Sequence, residues 1–170
     1  MSTDQSPQPR AAGAISPEPM GGTVSVEDRG PLARTIDVFI DNITAERIAE
    51  IIDGYDPSDD TYVFLEGPRW STKTGERVAF GWSAFTDSPI RMRDWAWAEG
   101  PFEFVEETLG WIAGVIDLNV TVGERAITIR LRGTYVMRLN PDDQQWRIIH
   151  EHFSQPLADP YGMGDWLPKK

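Results

Sequence analysis

Two β-rich runs of unusual length, Trp111 to Val122 and Arg125 to Leu139, meet at Val122-Gly123-Glu124, and they constrain the fold of this chain more than any other feature. Ordinary strands run about five or six residues, so a hairpin this long twists along its course and needs cover on its apolar face. A further run, Trp146 to Ser154, follows the turn at Asn140-Pro141-Asp142-Asp143. Upstream, Phe102-Glu103-Phe104-Val105 alternates cleanly, and Ile90 to Trp97 extends the β-rich half.

The N-terminal half reads differently. From about Val26 to Asp41, Leu32, Ile36, Phe39 and Ile40 fall at helical spacing, with Pro31 suited to a first turn. Asn42 to Asp53 predicts a second, short helix with Thr44 as N-cap and Gly54 as its stop. Asp56 to Asp60 is turn chemistry, and Tyr62-Val63-Phe64-Leu65 is a short strand. Val78, Trp82 and Phe85 place a third helix over Gly75 to Phe85. Three helices followed by long antiparallel strands predict an α+β domain over 26–156, with the helices packed on one face of a curved, mostly antiparallel sheet. Residues 1–25, rich in Pro, Ser, Gln and Gly, predict a disordered tail, and 157–170 a C-terminal tail.

The chain has 170 residues, a net charge of −11 and no cysteine. Spread acidity of this size repels phosphate backbones, so neither nucleic acid nor an anionic membrane is an expected partner. Without cysteine there are no disulfides, zinc thiolates or thiol nucleophiles. No run approaches the roughly 20 apolar residues of a membrane span. The N-terminus lacks the basic and apolar regions of a secretory signal, so the expectation is a soluble cytoplasmic protein of bacterial type. Phosphate-loop, dinucleotide, serine-elbow and zinc-helix motifs are absent from the sequence.

The order of elements, together with Asp59-Asp60-Thr61-Tyr62-Val63, Gly75, Arg132-Gly133-Thr134-Tyr135-Val136 and Trp146 through Ser154, resembles the SnoaL-like family of the nuclear-transport-factor-two-like superfamily over about Pro31 to Pro156. The ending also looks like the association domain of calcium/calmodulin-dependent kinases. The resemblance implies a cone: a cystatin-like α+β barrel in which helices close a bent sheet around a cavity, commonly dimerising through the outer sheet face. That superfamily spans ketosteroid isomerases, polyketide cyclases and non-catalytic assembly domains, so fold alone does not select a function.

Strict alternation puts Trp146, Ile148, His150, His152 and Ser154 on one face of the last strand, and Arg147, Ile149, Glu151 and Phe153 on the other. The two histidines either exchange protons as general acid and base or sit in a polar network at a sheet edge or interface. As metal ligands they lack a third partner at diagnostic spacing, and no metal or cofactor is expected. The resemblance places Asp59 and Asp60 near the cavity mouth, where a carboxylate could move a proton on carbon; the alternative is a solvated turn.

Seven tryptophans supply aromatic wall for a pocket or filling for a core. Tyr62, Trp82, Phe85, Trp97, Trp111 and Tyr135 are the ligand-binding candidates. Arg132, inside an apolar strand, needs a carboxylate partner: a ligand, or Glu103 or Glu151 across the sheet. The leading expectation is a protein that takes a small hydrophobic carbonyl compound into its cone and acts, if it turns over, as a cofactor-independent isomerase or cyclase. In that reading His150, His152, Asp59 or Asp60 moves the proton while Tyr135 and Arg132 steady negative charge. The alternative is a dimerisation or assembly module, or an apolar-ligand carrier.

Overall fold

A computed structural model describes residues 29–65 and 71–156. Three helices, α1 (Pro31–Thr44), α2 (Ile48–Asp53) and α3 (Gly75–Phe85), interleave with six strands: β1 (Tyr62–Phe64), β2 (Thr72–Lys73), β3 (Ile90–Glu106), β4 (Leu109–Val122), β5 (Arg125–Leu139) and β6 (Trp146–Ser154). The sheet order is β2-β1-β6-β5-β4-β3. Every pairing is antiparallel except β1 with β6, which run parallel.

The hairpin forms as its sequence predicts, with Val122 paired to Arg125 and Gly123 at φ 60° in the turn, a backbone conformation that glycine takes without a Cβ clash. The two stretches read separately upstream are one 17-residue strand, β3, whose pairing with β4 shifts register at Met92/Asp94, Trp97/Glu99 and Glu99/Phe102. Such irregularities bend a strand and increase its twist, and here they curl the sheet around its apolar face.

Helix α1 starts at Pro31 rather than Val26, and it continues through Thr44. Thr44 is therefore not an N-cap of α2: its hydroxyl donates back to the Ile40 and Asp41 carbonyls at 3.1 and 3.2 Å. The N-terminus of α1 has no cap from its own sequence. Glu103 of β3 serves instead, its carboxylate accepting the Ala33 N–H at 2.8 Å, a favourable place for negative charge. Gly30 is small enough to admit that carboxylate, since a Cβ there would fall 1.1 Å from Glu103 Oε1.

Leu32, Ile36, Phe39 and Ile43 repeat at helical spacing and are buried against Ile112, Ile116, Tyr135, Met137 and Ile148 of the sheet. A second cluster, Leu118, Val120 and Leu131, lies further along the strands. No described helix is long and apolar enough to cross a membrane. The expected tails, residues 1–25 and 157–170, lie outside the described residues.

Candidate functional site

The face of β6 that enters the hollow is decided by a bulge. Val136 pairs with His150 but Met137 pairs with Ile148, leaving Ile149 as the extra residue. Strict alternation fails there, so Ile148 and Glu151 both point inward, at 1% and 2% exposure. The backbone of Ile148 is engaged by the preceding loop: its N–H donates to Gly54 and its carbonyl accepts from Asp56, both at 2.9 Å. These two bonds straddle Tyr55 and hold it against β6.

Tyr55 donates its phenolic hydrogen to Glu151 Oε1 at 2.7 Å in a buried contact. Burial first, and the charge of Glu151 second, push the Tyr55 hydroxyl well above its ordinary 10.0, while a side-chain hydrogen bond with Trp82 acts in the opposite direction. Tyr55 consequently keeps its proton, and Glu151 is the acceptor. Val63, Glu151, Tyr135 and Ile112 form one row across β1, β6, β5 and β4. Phe39 of α1 lies edge-on to Tyr55, Trp82 and Tyr135, with centroids at 5.4, 6.4 and 6.4 Å.

Between this row and the helices lies a cavity of about 480 Å³, walled mainly by aliphatic and aromatic side chains of α1, α3 and β3–β6. Among the described residues Glu151 is the acidic side chain that lines it, and Arg77, Thr72 and Ser71 are polar lining groups toward β2. Among the described residues no three His, Asp or Glu side chains converge as a metal site.

Of the residues singled out from sequence, Trp82, Phe85 and Tyr135 line the cavity. The others stand elsewhere. His150 and His152 face outward: His150 Nδ1 is 2.5 Å from the Tyr62 carbonyl, and the rings pack against Tyr62 and Phe64. They do not reach the hollow, which corrects the expectation of an imidazole base there. Asp59 and Asp60 are exposed in the turn before β1. Asp60 meets Arg138 at 3.4 Å, and neither aspartate lines the cavity.

Tyr62 is on the outer face beneath Lys73, whose ammonium is 5.4 Å from its ring. Trp97 is buried core, 5.4 Å from Trp95. Trp111 is 42% exposed on the outer face and stacks on Phe104. Arg132 is exposed too, donating to the Gln155 carbonyl at 3.4 Å; neither Glu103 nor Glu151 partners it, because both carboxylates are committed to the inner side. Trp70 and Trp166 lie outside the described residues.

Glu151 and Tyr55 escaped the sequence reading. Glu151 sat on the face opposite the histidines, and only the bulge shows which face turns inward.

The SnoaL-like domain family matches residues 103–158. The fold is similar to a nuclear transport factor 2-like superfamily protein from Salmonella enterica, at 16% identity and TM-score 0.65 over 79% of this chain and 94% of that one. A ketosteroid isomerase-like protein from Erwinia carotovora superposes at 10% identity and TM-score 0.60 over 72% and 92%. A nuclear transport factor 2-like protein of unknown function from Pseudomonas putida KT2440 does so at 19% and 0.60 over 76% and 87%. Among curated proteins none matches this sequence. At such identities the structural likeness defines the class of fold, a nuclear-transport-factor-two-like cone. The SnoaL-like match lies within the last strands of that fold, over residues 103–158.

Proposed function

We propose that this protein admits a small, mainly apolar carbonyl compound to its cone and shuttles a proton between carbons of that compound without a cofactor. The observation that carries the proposal is Glu151: a carboxylate at 2% exposure, set in an apolar wall and held by a buried tyrosine. Buried acids are costly unless they are paired or put to use.

In this reading Glu151 takes the proton from the carbon next to the carbonyl, the electron pair moves to the carbonyl oxygen, and the proton returns at another carbon. Tyr135, beside Glu151 in the same row, stabilises the developing oxyanion. The test is exchange of deuterium from solvent into a bound ketone, followed by NMR. Wild type should exchange, and Glu151→Gln should lower the rate by about 10²- to 10⁴-fold while keeping the fold. Equal rates in both proteins would sink the assignment.

A homodimer through the outer sheet face belongs to the same proposal. Its support is a patch of exposed Phe102, Phe104, Leu109 and Trp111 on β3 and β4, since clustered exposed apolar side chains mark contact surfaces.

A further inference from the structure

We infer that the occupant of the cone is an extended, flexible apolar chain with its carbonyl at Glu151, not a compact fused-ring molecule; this rests on the proton-transfer reading of the same cavity. Inward positions of β5 run in line from the Tyr135–Glu151 row. At ~3.3 Å per residue, Leu131, Ile129 and Ile127 stand about 13, 20 and 26 Å along the strand from Tyr135. All three line the same cavity as Glu151. The cavity of about 480 Å³ therefore reaches from the Tyr135–Glu151 row to the far end of β5, and this long reach is the slot an occupant would fill.

Among the described residues the far part of the slot has no polar strand side chain, and Thr44 of α1, which lines it, gives its hydroxyl hydrogen to the carbonyls of its own helix. Its strand lining is aliphatic or aromatic, with Leu118 and Val120 of β4 facing Ile129 and Ile127 of β5 in register. The polar lining contributed by β2, β6 and the start of α3, including Thr72, Arg77 and Glu151, belongs to the other end. An occupant suited to both ends is polar at one end and hydrocarbon along the rest.

The slot is also bent. Register shifts at Met92/Asp94 and Trp97/Glu99 fall in the stretch of β3 that walls it, and such shifts turn the strand. A chain with rotatable bonds follows a bend; a rigid ring plate does not.

The experiment measures binding of straight-chain methyl ketones of increasing length by calorimetry, beside a fused-ring ketone of equal carbon count, using the full chain. Affinity should rise roughly threefold to fourfold for each added methylene and then level off where the tail reaches the strand tips. Ile129→Trp should bring the levelling to shorter chains while the shortest ketones bind as they do to wild type. Val122→Trp, at the more exposed tip, should shorten the limit by less and serves if the first variant fails to fold. Affinity independent of length, an unmoved limit in a folded variant, or tighter binding of the fused-ring ketone would overturn the inference. Binding separates this result from the chemistry: a length limit with no deuterium exchange overturns proton transfer and upholds the extended occupant. Failure of both ketone shapes to bind overturns both.

Discussion

At the scale of single residues, the buried bond from Tyr55 to Glu151 is a stabilising contact of the site. Tyr55 and Glu151 are both buried, so removing the phenol takes one buried donor away from the carboxylate, at a cost of about 1–3 kcal/mol. Tyr55→Phe should therefore lower stability by that amount in urea denaturation and also slow deuterium exchange; a variant as stable as wild type would show the bond to be idle. Asp56, next in the chain, gives a pH dependence. Burial pushes its carboxyl up, but hydrogen bonding from Ser58 and the Arg138 guanidinium 3.3 Å away outweigh it, and the net position is below the usual 3.8. A depressed folded value means stability that is present above the unfolded pKa and lost as pH falls through the folded one. Wild type should thus exceed Asp56→Asn in stability at about pH 7, and the gap should close below about pH 4.

At the scale of elements, the strands were legible and their facing was not. Hydrophobic alternation marks where β4, β5 and β6 lie, because side chains on a pleated strand alternate whatever the partner. It cannot reveal an extra residue at Ile149, since that residue is itself apolar and leaves the pattern looking regular. The cost of missing it was a whole face: His150 and His152 in place of Glu151. The two-residue β2 and the merging of two stretches into β3 were equally hidden, being products of pairing and not of composition. Helix α1 was legible from its stripe, but its cap lies about seventy residues away in Glu103, beyond any local signal. Glu103→Ala should cost ~1 kcal/mol in thermal or chemical unfolding, with the loss reduced in Glu103→Gln; no change in either variant would deny the cap.

At the scale of the whole molecule, the class of fold followed from helices first and long strands after, together with specific strand wording. A hollow was expected from that class, and its aromatic lining was partly anticipated by Trp82, Phe85 and Tyr135. Its acidic member was not, because depth inside a cone is set by several strands at once. The same sheet presents opposite chemistries on its two sides: the buried carboxylate of Glu151 in a mainly apolar wall inside, and an exposed aromatic patch outside. If the patch is a protomer contact, Phe104→Asp with Trp111→Asp should yield monomers by sedimentation at concentrations where wild type is dimeric. Identical sedimentation of the two proteins would remove the outer face from the assembly.

Glu103 grips the beginning of α1, and just beyond its end Glu46 meets Arg91 at 3.0 Å; both anchors come from β3. A wall pinned at two points to one strand is a poor door. Mutations that loosen α1 will therefore tell on the integrity of the vessel itself, not on the passage of what it holds.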